Sequence, residues 1–119
     1  MPASSPRSTR SRPRSSADGQ AGRGDVYKFI ITIDCQPGTR AKILARAPGA
    51  QRATRAEPGC IAYDFFTCTD DPDRLVFVES WIDEAAHAFH MEQAHTRDFI
   101  AFHEQFHRGL IFETINVAG

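Results

Sequence analysis

The strongest constraint in this chain is the run Arg74 to His95, RLVFVESWIDEAAHAFHMEQAH. Period-two alternation makes Leu75 to Ile82 a strand. Leu75, Phe77, Glu79 and Trp81 share one face; Val76, Val78, Ser80 and Ile82 share the other. Both faces are mainly apolar, so cover is expected on both sides. Glu79 and Trp81 then stand about 7 Å apart on one face. A carboxylate beside an indole in a covered sheet is costly unless something pairs with it. Asp83 follows as an N-cap, and the helix after it carries His87, His90 and His95. A strand end with Glu and Trp feeding a histidine-bearing helix is the best candidate for a site.

The rest of the chain arranges itself around that strand. Val26 to Asp34 reads as a first strand, apolar on both faces through Val26 and Ile30 and through Phe29, Ile31 and Ile33. Pro37-Gly38 turns the chain, and Thr39 caps a helix through Ile43, Leu44 and Ala47. Pro48-Gly49 is expected to interrupt that helix, because an interior Pro costs roughly 3 kcal/mol. A second helical piece runs from Gln51 to Glu57, and Pro58-Gly59 ends it. Cys60 to Cys68 is the second strand, with Ile61, Tyr63 and Phe65 facing one way and Ala62, Asp64 and Phe66 the other. A polar turn from Thr69 to Asp73 makes a hairpin with the next strand. Asp83 to His107 is helical with a kink near Ala94, its core stripe being Met91, Phe99, Phe102 and Phe106. Leu110 to Val117 closes the chain as a strand. The order is βαββαβ, a ferredoxin-like α+β protomer. Its helices cover one sheet face only, so a second copy is expected on the other, giving a homodimer.

A length of 119 residues fits one domain. Residues 1–25 carry five Arg against two Asp, a net +3, with almost no apolar content. They are expected to be a disordered Arg/Ser-rich extension, or else a transit peptide, although Pro2, Pro6 and Pro13 oppose an amphipathic helix. The domain, residues 26–119, holds nine basic and thirteen acidic residues, a net −4, which argues against a nucleic-acid partner. No apolar run reaches membrane-spanning length. Cys35, Cys60 and Cys68, odd in number and irregular in spacing, read as reduced thiols of a cytoplasmic protein.

Several motifs carry possible chemistry. His103-Glu104-Gln105-Phe106-His107 spells H-E-x-x-H, the zinc-binding pattern of metalloproteases, but no third ligand stands out and the match reads as chance. No metal is expected. Histidine exchanges protons near neutral pH. Among the helix histidines, His87 reads as a solvated group and His90 as part of the packing. His95 is the candidate base, because it falls at the kink, where a side chain can point into a cavity. No Ser-His-Asp or Cys-His order suggests a covalent nucleophile, and no Gly-rich phosphate loop is present.

EPGCIAYDFFT, then DPDRLVFVESWIDEAAHAFHMEQAHTRDF, resemble the antibiotic biosynthesis monooxygenase (ABM) domain family, in its quinol-monooxygenase-like group. The shared features are Glu57 to Cys60, Tyr63, Glu79 with Trp81, His90 with His95, and Phe99. The resemblance implies a dimeric α+β barrel of ferredoxin-like protomers. It also implies oxygenation of quinol-like or polyketide-like aromatics by O2, without metal, flavin or other cofactor. Other members are isomerases of small metabolites or haem degraders. The haem degraders use an Asn on the first strand, which is absent here, although Trp81 and His103 would fit. The expected activity is therefore a cofactor-independent monooxygenase. His95 and Trp81 are its catalytic candidates, and Tyr63, Glu79, His90, Phe66 and Phe99 its substrate contacts. The alternatives are a non-catalytic ligand-binding dimer and an isomerase using the same pocket.

Overall fold

The computed structural model describes residues 26–117; the extension expected over residues 1–25 lies outside them. Seven elements follow in order: β1 Val26–Cys35, α1 Arg40–Arg55, β2 Cys60–Thr67, β3 Arg74–Trp81, α2 Glu84–Glu92, α3 Ala94–Glu104 and β4 His107–Val117. The sheet order is β2-β3-β1-β4, with every neighbouring pair antiparallel. This is the expected ferredoxin-like α+β arrangement.

Alternation decides which face is inside. Phe29, Ile31 and Ile33 of β1 and Leu75, Phe77 and Trp81 of β3 point to the helices and are buried. The register sets them side by side, Ile31 opposite Phe77 and Ile33 opposite Leu75. Each such side chain contributes about 1.5–3 kcal/mol when fully buried. The other face has no helix over it among the described residues. Phe66 and Ile111 on that face are 53% and 58% exposed.

Three local expectations are corrected. First, α1 runs unbroken from Arg40 to Arg55 with Pro48 inside it. Ile43, Ala47 and Thr54 are buried on one side of the helix, so packing holds both halves in line, and Pro48 sits on the exposed side. Second, the kink expected near Ala94 is a full break, one residue earlier, that leaves two helices. Gln93, at φ −76° and ψ 144°, ends α2 and caps α3. Third, His107 belongs to β4. It pairs with Cys35, and the Gln36 N–H donates to the Phe106 carbonyl at 2.8 Å.

The Pro58-Gly59 turn is fixed by contact. Gly59 has φ +85°, and its carbonyl accepts from the Ile82 N–H at 2.9 Å. A Cβ there would stand 2.6 Å from Ala86 Cβ and 2.9 Å from Ile82 Cγ1. Gly38 has φ +81° but nothing within 4 Å of such a Cβ. Gly38→Ala should therefore cost only the left-handed backbone strain, about 1–2 kcal/mol. Gly59→Ala should add an overpacking cost of about 1–3 kcal/mol. Urea unfolding of the two variants checks this; equal losses would show that the turn does not depend on the close approach.

Candidate functional site

A cavity of about 210 Å³ opens between the inner sheet face, α2, α3 and β4. Its walls are mainly apolar, with Phe77, Met91, Phe99 and Ile100 prominent. Polar groups come from β2 and β3 as Tyr63 and Glu79, from α2 as His87 and His90, and from the α3–β4 junction as His103 and His107.

The candidate residues divide by position. Tyr63, Glu79, His90 and Phe99 line the cavity. Trp81 lies behind this lining, fully buried, where its Nε1–H donates to Glu79 Oε1 at 3.1 Å. Its ring lies against His90, with centroids 4.7 Å apart. Phe66 does not reach the cavity: period two puts it on the opposite face from Tyr63, open to solvent. His95 lines a separate, shallower groove between α1 and α3, with Arg46, Gly49, Ala50, Asp98 and Phe99. The helix breaks at Gln93, and this turns His95 toward α1 instead of toward the main cavity.

Glu57 ties these pieces together. Its Oε2 lies 2.9 Å from His90 Nδ1 and 2.6 Å from His95 Nε2. The carboxylate accepts the Nδ1–H of His90, which fixes that tautomer and leaves Nε2 bare. Nε2 of His90 stands 3.9 Å from Glu79 Oε1. Thr96 Oγ1 is a further 3.2 Å neighbour of His90 Nδ1. Burial lowers the pKa of His90, against the pull of Glu57, so the ring is neutral and able to accept a proton. Burial pushes Glu79 up to about 7, against the Trp81 hydrogen bond and helped by the charge of Glu57. Tyr63 is pushed upward, first by burial and then by Glu79, and stays a phenol.

At the far end of the cavity, His103 Nδ1 lies 2.8 Å from His107 Nε2, with the two rings stacked. Burial, then the neighbouring His107, pushes His103 down to about 4, so it is uncharged near neutral pH. The H-E-x-x-H match fails as a zinc motif on geometry. The helix α3 ends at Glu104, His107 starts a strand, and the two imidazoles bond each other.

Glu57, His90 and His95 bring ligand atoms within 4.8 Å of one another, the donor set of a two-histidine, one-carboxylate metal site. Separations of 2.6 and 2.9 Å are hydrogen-bond lengths. Tetrahedral zinc ligands at bond lengths of about 2.0–2.1 Å would stand well over 3 Å apart. At these separations the three side chains form a hydrogen-bonded group.

The sequence pointed to Glu57 only as part of the shared Glu57 to Cys60 motif and to His103 only through the haem degraders, and it did not place Thr96, His87 or His107 at the site. His87, expected in solvent, stacks on Phe29 at 3.9 Å and lines the cavity. The usable signal for Glu57 was an acidic residue directly before a Pro-Gly turn, where the chain reverses toward β2.

Residues 27–101 match the family described as Antibiotic biosynthesis monooxygenase. The "Putative monooxygenase YcnE" of Bacillus subtilis is 38% identical over 69 residues, covering 58% of this chain and 73% of that one. A solved antibiotic biosynthesis monooxygenase is 27% identical with TM-score 0.68, covering 78% of this chain and 97% of that one. Protein SO0527 of Shewanella oneidensis, at 22% identity and TM-score 0.73, covers 81% of this chain and 96% of its own; it shares the fold.

Raising Glu79 from the ordinary 4.5 to about 7 has a stability consequence. Its folded form holds the proton more tightly, so its contribution is full below the unfolded value and is lost as pH rises through about 7. His103, depressed to about 4, acts in the opposite sense as pH rises toward the ordinary 6.5. The difference between wild type and Glu79→Gln isolates the carboxyl. The variant should gain relative stability between pH 5 and 8, by at most about 3 kcal/mol. Denaturant midpoints across that range measure it; a flat difference would show that Glu79 ionises normally.

Proposed function

The chain belongs to the antibiotic biosynthesis monooxygenase family, and we propose that it oxidises an electron-rich aromatic, quinol-like or polyketide-like, with O2 and without metal or flavin. The observation that carries this reading is a mostly apolar cavity whose proton acceptor is fixed in place, His90 by Glu57 at 2.9 Å and beside Glu79. A ring hydroxyl in the cavity gives its proton to His90 Nε2, or to the Glu79 carboxylate where that is ionised. The resulting anion faces apolar walls that solvate it poorly, which favours electron release to O2. A carbon–oxygen bond then forms. The second oxygen atom leaves as water, with the substrate supplying the electrons. Tyr63 and Phe99 contact the ring, and Trp81 holds Glu79 from behind.

We place a second copy of the chain on the open sheet face, where Phe66, Ile111 and Ile115 are 53%, 58% and 38% exposed. Phe66 then serves the dimer and not the cavity. Free thiols at Cys35, Cys60 and Cys68 support a reducing, cytoplasmic setting. No helix among the described residues is long and apolar enough to cross a membrane.

Aerobic and anaerobic incubation with a panel of hydroquinones, followed by O2 uptake and product mass, tests the activity. His90→Ala should lower kcat about 100-fold or more. Absence of uptake with every electron-rich ring would sink the reading. Sedimentation at micromolar concentration should give a dimer; a stable monomer would remove the argument from the open face.

A further inference from the structure

The geometry points to Glu57 and His95 as a proton outlet that carries the proton taken up in the cavity to the groove between α1 and α3. One carboxylate oxygen touches both imidazoles, at 2.9 Å for His90 Nδ1 and 2.6 Å for His95 Nε2. The side chains of His90 and Glu57 are 3% and 5% exposed, whereas that of His95 is 33% exposed. His90 lines the cavity and His95 lines the groove. The three groups thus form an unbroken line from the apolar cavity, through a buried carboxylate, to the groove.

The backbone is bent to make this line. On a continuous helix, residues five apart point about 140° away from each other. The break at Gln93 removes that divergence and lets His90 and His95 meet one oxygen. A clamp on His90 alone would need only Glu57. The titratable and charged groups facing His95 are Glu57 from the turn after α1, His90 of α2 at a ring separation of 6.2 Å, Arg46 of α1, and Asp98 on its own helix.

The role rests on the proposed oxidation. A proton left on the cavity acceptor at each turnover must leave before the next, while substrate and product occupy the apolar side. The proton arriving at His90 Nε2 displaces the one on Nδ1 to Glu57 Oε2. From there it passes to a bare His95 Nε2, and the Nδ1 proton of His95 leaves to water in the groove. No bond other than N–H and O–H is made or broken. Solvent exchange then restores the tautomer of His95.

Two variants separate an outlet from a clamp. His95→Gln can still hydrogen-bond Glu57 but cannot pass a proton; His95→Ala leaves room for added imidazole. Exchange of the His90 ring N–H with solvent, read by NMR on ¹⁵N-histidine protein, should slow roughly tenfold or more in both variants. With a turned-over hydroquinone, kcat should fall by a similar factor with KM nearly unchanged, and imidazole should restore His95→Ala but not His95→Gln. Unchanged exchange in His95→Gln, or wild-type kcat in that variant, would overturn the outlet. Slowed exchange in a protein that consumes no O2 would support the outlet and refute the oxidation reading instead.

Discussion

The site depends on one buried carboxylate oxygen. Glu57 Oε2 holds an imidazole from each of two helices, at 2.9 and 2.6 Å. A carboxylate with a side chain only 5% exposed would be costly without such partners. Its presence converts His90 from a packed ring into one with a defined bare nitrogen. It also joins α2 to α3 across the break at Gln93. Remove the carboxylate, and His90 Nδ1 keeps only Thr96 Oγ1 at 3.2 Å, while the break at Gln93 is left to its own backbone bonds.

Glu57 reaches that position because of the turn after it. Gly59 seats against Ala86 and Ile82, and its carbonyl is held by Ile82. The same end of β3 delivers Glu79 and Trp81, and the capping Asp83 starts α2 by accepting from the Ala86 N–H at 2.8 Å. Turn, strand end and helix start are therefore one packed unit. The site's polar groups are carried on rigid elements whose mutual placement is set by backbone contact.

The architecture was legible because alternation in β1 and β3 is clean and the turn signals are strong. Pro37-Gly38, Pro58-Gly59 and the aspartates after Thr69 all fall between elements. Local propensity misled at Pro48, where burial of Ile43 and Ala47 on the opposite side outweighs the lost hydrogen bond. Phe66 could have been set aside from the sequence, since period two already opposes it to Tyr63. Glu57 could not have been assigned by spacing. Its partners lie 33 and 38 residues away, and only the folded turn brings them to it.

The cavity also draws its apolar and its polar lining from different side chains, although α2, α3 and β4 each supply both kinds. Met91, Ile100, Leu110 and Phe112 supply apolar surface from α2, α3 and β4. Glu79 and its indole partner come from β3, and Glu57 comes from the turn. Selection for a new ring size or shape can therefore explore the first set without disturbing proton handling. A scaffold divided in this way lets descendants of one ancestor diverge in molecular diet while inheriting the same acid–base apparatus.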